Sequence, residues 1–393
     1  MDLQGLIAGE RECDVAILCG DDIARLDDIA RLDNLFSVDS SRGRKRYKLV
    51  VIDNLLGKTK FDAILIKEAF WSLELGGELL IVERGDLCPK AGRALRQQLF
   101  LLMGGGISYE QKEDGYQRWH SVRKSAVCNM GEMSFWSIGV VTNGARQEWL
   151  IEFIRSVVQQ KIPSFEVIVC GNCNFDQLLT EFPSVSFKFI AFDERGDRGW
   201  ITKKKNLIAA SASYINMAIF HDRYVLDEGW YQGMKKYGNN FEVLSCANID
   251  AEGVRSEDWS VAHTFLPDYF FKDQSLINIG GVKRFPTMLA YRDWDEKAYV
   301  PGGMIVLKKN VWEKCKWDER FYWNEAEDVW LSHMQALKGY IVRANPFAKV
   351  CTQSSRGNLR YEHRFNRKKL GWVSNYFFYL LSLLLYQFKS RSK

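Results

Sequence analysis

The chain has 393 residues, room for two or three domains with cores of their own. Its 47% hydrophobic and 26% charged residues, with 7 Pro against 30 Gly, exclude a disordered or fibrous chain and a disulfide miniprotein. The net charge of +5 is too small to argue for nucleic acid as a partner, but it is unevenly placed: nine basic residues against one acid, Glu362, give the segment Arg356 to Lys393 +8 and leave the remainder at −3.

Nine scattered cysteines and an N-terminus without an apolar signal segment point to a reducing, cytoplasmic compartment. Up to about residue 125 the pattern alternates strand and helix. Short apolar runs predict strands over Asp14 to Leu18 and Lys48 to Asp53, and Phe61 to Leu75 reads as a helix closed by Gly76-Gly77 acting as a C-cap. A strand over Glu78 to Glu83 and a helix over Ala91 to Met103 follow, and Asp114-Gly115 marks a hairpin turn. A helix ending in Gly-Gly before a strand, then an antiparallel hairpin, resembles the class I methyltransferase-like Rossmann fold. The run LCGDDIARL offers only Gly20 where that family carries a glycine-rich turn, so the resemblance implies a degenerate, non-catalytic domain over residues 1–125. A working methyltransferase, and with it a bifunctional protein, is the alternative.

After the polar stretch Ser125 to Ser134 the pattern restarts. Strands are predicted over Phe135 to Val141, Phe165 to Cys170, Val185 to Phe192 and Asn216 to His221, with helices over Glu148 to Gln160, Phe175 to Glu181 and Ile201 to Ser213 between them. This is a second α/β domain. Ligands of such sheets sit beyond the carboxyl ends of the strands, which directs attention to Thr142 to Arg146, Gly171 to Asn174 and His221 to Tyr224. Cys170 and Cys173 have thioredoxin-like spacing, but no second pair and no aromatic-Pro context accompanies them, so the spacing reads as incidental.

Four segments in order, SIGVVTNGARQEWLIEFIRSVVQQ, VIVCGN, RGWITKKKNLIAASASYINMAIFHDRYVL and VPGGMIVLKKNVWEKCKWDERFYWNEAEDVWLSHMQALKGY, resemble the GT-A fold of nucleotide-sugar glycosyltransferases, family 2 in particular, over residues 135–350. The resemblance implies a donor site of Thr142, Asn143, Arg146, Gly171, Asn172, Arg198, Lys205, Asn206 and Asp222. Departure of a nucleoside diphosphate builds negative charge that a divalent cation or fixed basic groups must neutralise. Where the family carries Asp-x-Asp, this chain has His221, Asp222 and Arg223. The resemblance then makes Asp222 a ligand for Mn²⁺ or Mg²⁺, with His221 as helper and His363 completing the shell. Arg223 departs from the pattern and raises the prospect that cationic side chains partly replace the metal. Of Lys203, Lys204 and Lys205 at a helix start, Lys205 with Asn206 matches the family's basic-Asn pair, while a solvated charge run is the bland alternative.

On the acceptor side the resemblance implies Gly302, Gly303 and a stacking Trp323, with Asp328, beside Glu327, as the carboxylate that takes the proton of the attacking hydroxyl. The same acids would otherwise serve only as first-turn residues of their own helix. Direct attack inverts the sugar carbon. The expectation is a transferase moving a sugar, of galactose type by the acceptor-side motif, from a UDP-linked donor to a glycan or glycolipid in cell-surface polysaccharide assembly. A catalytically inactive sugar- or nucleotide-binding scaffold is the third reading.

From Leu370 to Phe388 the chain is uncharged and rich in Leu and aromatics, yet its apolar core falls short of the ~20 residues that span a bilayer. Basic clusters flank it, so residues 351–393 read as an amphipathic tail docking on an anionic membrane surface from the cytoplasmic side. A helix packed on the first domain or on another subunit is the competing expectation.

Overall fold

The computed structural model describes residues 15–19, 38–39, 43–44, 46–59, 61–85, 89–103, 107–126, 130–193, 199–250, 252–261, 287–323 and 326–353. Gly20, Arg198, His363 and the tail beyond residue 353 lie outside them. The chain divides into two units, Met1–Asn129 with Arg292–Trp294, and Met130–Tyr291 with Asp295–Lys393. Both are mixed α/β.

In the first unit β1 (Val15–Leu18), β2 (Tyr47–Asp53) and β3 (Leu73–Arg84) run parallel, and the hairpin of β4 (Ile107–Asp114) and β5 (Gln117–Lys124) closes the sheet in the order β1-β2-β3-β5-β4. Val50, Val51 and Ile52 are wholly buried, as expected of an unbroken apolar run inside a parallel sheet. The helices α1 (Asp62–Trp71) and α2 (Pro89–Met103) join the strands. Gly76-Gly77 is not a helix cap: α1 stops at Ser72, and both glycines lie within β3. There the register against β2 jumps from Tyr47↔Leu73 to Leu49↔Glu78, with Gly76 at φ +83°. A Cβ on Gly77 would stand 3.0 Å from the carbonyl oxygens of Glu74 and Tyr47, so the pair forms an irregularity that only glycine fits.

The second unit carries β6 (Phe135–Val141), α3 (Gln147–Gln159), β7 (Ser164–Gly171), α4 (Phe175–Glu181), β8 (Ser186–Ala191), α5 (Ile201–Ser211) and β9 (Asn216–His221). Then come β10 (Tyr224–Leu226), α6 (Trp230–Tyr237), β11 (Val243–Asp250), a small sheet of β12 (Ser260–Val261), β13 (Thr287–Met288) and β14 (Ala298–Tyr299), and finally β15 (Met304–Lys308), α7 (Lys309–Lys314), α8 (Glu327–Leu337) and β16 (Val342–Thr352). Eight strands form one sheet in the order β8-β7-β6-β9-β15-β11-β16-β10. The first four are parallel, and β15 is antiparallel to both β9 and β11. A core of Trp136, Phe153, Phe220 and Trp230 packs beneath it, with ring centroids 5.3 to 6.3 Å apart.

This order fixes where a ligand can enter. From β6 the chain builds outward to β7 and β8, then returns to lay β9 on the other side of β6. The strand order thus reverses between β6 and β9, and the crevice outside their carboxyl ends is where sheets of this kind take ligands. No helix among the described residues is long and apolar enough to cross a membrane.

Candidate functional site

At the mouth of that crevice the Thr142 hydroxyl donates to Asp222 Oδ2 at 2.7 Å, tying the end of β6 to the turn after β9 across 80 positions of sequence. Thr142 is buried; its hydroxyl also accepts the Gly144 amide, and its carbonyl accepts Lys204 Nζ at 2.8 Å. Burial raises the Asp222 pKa, while the Thr142 bond and the nearby Arg146, Lys204 and Arg223 pull it back down. Lys204 is only 1% exposed, and that burial pushes its ammonium down to about 8 against the favourable charge of Asp222. The basic-Asn resemblance points to Lys205 at the donor; in the structure Lys204 is the lysine beside Thr142 and Asp222.

Gly171 ends β7 at φ +143°, and a Cβ there would lie 1.9 Å from the Thr142 carbonyl oxygen. The loops after β6 and β7 therefore meet backbone to backbone. Asn143 caps its own loop by accepting the Ala145 amide, and the exposed Asn172 lies against Gly144. Arg146 opens α3 with its guanidinium 3.9 Å from the Trp149 ring centroid. Cys170 and Cys173 are free thiols whose burial pushes their pKa values to about 12 and about 11, far from the thiolate that redox chemistry needs.

The segment expected on the acceptor side adjoins this turn through Gly302 and Gly303. The His221 amide donates to the Gly303 carbonyl at 2.9 Å as β9 pairs with β15. A Cβ on Gly303 would fall 2.8 Å from an Arg223 guanidinium nitrogen and 2.7 Å from the Tyr224 hydroxyl. On Gly302 it would fall 2.2 Å from Glu327 Oε1 and 3.2 Å from Lys205 Nζ. The two glycines thus bring the strand tip at 221–223 and the acidic helix start at 327–328 to adjacent positions.

Glu327 and Asp328, neighbours in sequence, differ in surroundings. Glu327 is buried, and its Oε1 accepts Lys205 Nζ at 3.0 Å in an ion pair in which the lysine is wholly inaccessible. Asp328 is half-buried and accepts the Gly302 amide at 2.7 Å through Oδ2. Its pKa is pushed up to about 7, first by desolvation and then by the charges of Glu327 and Glu257, against the opposing Gly302 bond and Lys205. The residue before this pair, Ala326, holds a left-handed backbone at φ 58°, an uncommon conformation for a side chain with a Cβ and one that gathers at working sites.

Asn206 departs from its expected donor role. Its amide nitrogen donates to the Trp317 carbonyl and to Glu319, and its oxygen accepts from Trp312 Nε1 and the Trp317 amide. Buried and multiply bonded, it anchors the end of α7 and the loop that follows it, residues 312–319, to α5. Lys205 likewise points to Glu327 and not to the Thr142 loop. Trp323 is 46% exposed, its amide held by the Gly199 carbonyl, beside Trp200 and Tyr322 with ring centroids 5.5 Å apart. Trp200 and Tyr322 are partly buried, and Trp323 is the exposed ring of the three.

Among the described residues the donor set does not fit the divalent cation expected from the sequence. The turn supplies one carboxylate, Asp222, and three cations act on it. Among the described residues no three His, Cys, Asp or Glu side chains gather where they could hold a metal.

No protein-family model matches this chain, and no curated protein matches it. Among solved structures, the crystal structure of S. aureus TarS 1-349 is similar at 12% identity and a TM-score of 0.36, covering 55% of this chain and 59% of that one. The same segment in complex with UDP gives 12% identity and 0.36, with 55% and 60% covered. Another crystal structure of S. aureus TarS gives 13% identity and 0.36, with 56% and 37% covered. The chain thus spans less than two thirds of the length of each.

Proposed function

We propose that the second unit is an inverting GT-A glycosyltransferase that moves a sugar from a UDP-linked donor to a hydroxyl of a glycan or glycolipid acceptor. The observation that carries this reading is the meeting, through Gly302 and Gly303, of the two segments that bear Asp222 and Asp328, carboxylates in unlike settings. Asp222 lies at the switch point of the sheet among Thr142, Lys204, Arg146 and Arg223. Asp328 stands beyond Gly302-Gly303 with a pKa raised toward neutrality.

The chemistry follows from that contrast. The cationic turn, together with Arg146, receives the diphosphate, with Thr142 and Asn143 toward the nucleoside. The acceptor stacks on Trp323 and presents a hydroxyl to Asp328. As the hydroxyl oxygen bonds to the anomeric carbon, the bond from that carbon to the diphosphate oxygen breaks and the proton passes to the Asp328 carboxylate. A carboxylate whose pKa lies near the working pH suits this task better than one of ordinary acidity. Glu327, committed to Lys205, positions α8. A galactose-type donor, a role in cell-surface polysaccharide, a degenerate methyltransferase-like first unit and a tail on the inner face of a membrane belong to the same reading and rest on the sequence.

The direct test is release of UDP from a panel of UDP-sugars by the full chain, with and without oligosaccharide acceptors. Turnover of one UDP-sugar, stimulated by an acceptor, is the expected result. Binding of UDP-sugars with no turnover under any acceptor would favour the inactive scaffold instead.

A further inference from the structure

We infer that this site neutralises the leaving diphosphate with its own side chains, Arg146, Arg223 and the buried Lys204, and needs no divalent cation. The inference rests on the glycosyltransferase reading and concerns the same crevice.

A hard cation sets strict requirements. Mg²⁺ and Mn²⁺ seek several oxygen ligands, anionic ones first, and a nucleotide site usually contributes carboxylates beside the substrate's phosphates. Here Asp222 is the carboxylate of the turn, and one of its oxygens is committed to the Thr142 hydroxyl at 2.7 Å. Arg223 stands where a second carboxylate would be needed. With Arg146, Lys204 and Arg223 all acting on Asp222, the local charge is an excess of cations, which repels a metal ion and attracts a diphosphate.

The three cations are also held in place. Lys204 is fixed beneath the loop by its bond to the Thr142 carbonyl. The Arg146 guanidinium sits 3.9 Å from the Trp149 ring centroid, and that of Arg223 sits 5.2 Å from the Tyr224 ring centroid. Gly303 leaves the space that Arg223 occupies, since a Cβ there would meet the guanidinium at 2.8 Å. Planar guanidinium groups restrained on aromatic faces are ready to donate paired hydrogen bonds to phosphate oxygens, so little reorganisation is needed as the leaving group gains charge.

Calorimetric titration of the full chain with UDP, in EDTA and in excess Mn²⁺, tests this. UDP is expected to bind in EDTA with a Kd within about threefold of that in Mn²⁺. Arg223→Ala and, independently, the exposed Arg146→Ala should each weaken binding in EDTA by about tenfold or more, as loss of a charge-assisted hydrogen bond predicts. Arg223→Asp, which supplies a second carboxylate, should make UDP binding depend on Mn²⁺. Thermal melts of each variant confirm folding. Wild-type binding seen only with Mn²⁺, or Arg variants that fold and bind UDP unchanged, would overturn the inference and leave the glycosyltransferase reading in place. Absence of UDP binding in both buffers would overturn that reading, and the inference with it.

Discussion

Asp328→Asn is expected to lower kcat/KM for sugar transfer by roughly 10²- to 10⁴-fold, the usual contribution of a positioned general base. The substitution keeps size and lets the side-chain oxygen still accept the Gly302 amide, so UDP binding should be nearly unchanged and the loss should fall on kcat. The wild-type pH profile carries the same signature. In the proposed role Asp328 works only when ionised, and its pKa is raised to about 7. Activity should therefore hold above neutrality and fall toward tenfold per pH unit below it, and the residual rate of the Asn variant should lack that acidic limb. A variant at full rate, or a wild-type profile flat from pH 5 to 8, would remove Asp328 as the base.

Lys205→Met should destabilise the second unit by about 3–5 kcal/mol, because it leaves Glu327 charged and buried with its ion-pair partner gone. For a unit of this size that corresponds to a fall in Tm of roughly 6 to 20 °C. The double variant Lys205→Met/Glu327→Leu removes both charges and should recover most of the loss. Differential scanning calorimetry of the two variants decides between a structural ion pair and a lysine that serves the donor. If Lys205→Met melts like wild type but loses UDP affinity, Lys205 belongs to the donor site and its pairing with Glu327 contributes nothing to stability.

What the sequence discloses depends on the range of the interaction. The strands Phe135–Val141 and Asn216–His221 and the helix Phe175–Glu181 are readable to the residue, because short apolar runs bounded by Gly, Asn, Asp and Ser declare themselves locally. The glycine pair at 76–77 misleads: beside a helical pattern Gly-Gly reads as a cap, and only the register of a neighbouring strand reveals an irregularity within β3. Strands Val243–Asp250 and Val342–Thr352 are absent from the sequence expectation, and the first pairs with the second across about a hundred residues, which no local pattern reports.

The site divides along the same line. Asp222 and Asp328 stand out by residue type and place. Their surroundings do not, since Thr142–Asp222 and Lys205–Glu327 close 80 and 122 positions of sequence. In the run Lys203-Lys204-Lys205, composition cannot tell which ammonium turns inward. The structure buries Lys204 and Lys205 in different environments and leaves Lys203 over the Trp200 ring. The four polar contacts of Asn206 are equally hidden, because its partners lie more than a hundred positions away.

A crystal structure of the full chain with UDP tests the central claim most directly. The expected density places the diphosphate between the Thr142–Arg146 loop and the Asp222-Arg223 turn, with an open path from its outer phosphate to Asp328. UDP bound elsewhere on the molecule, or a wall of protein between that crevice and the Asp328 carboxylate, would contradict it.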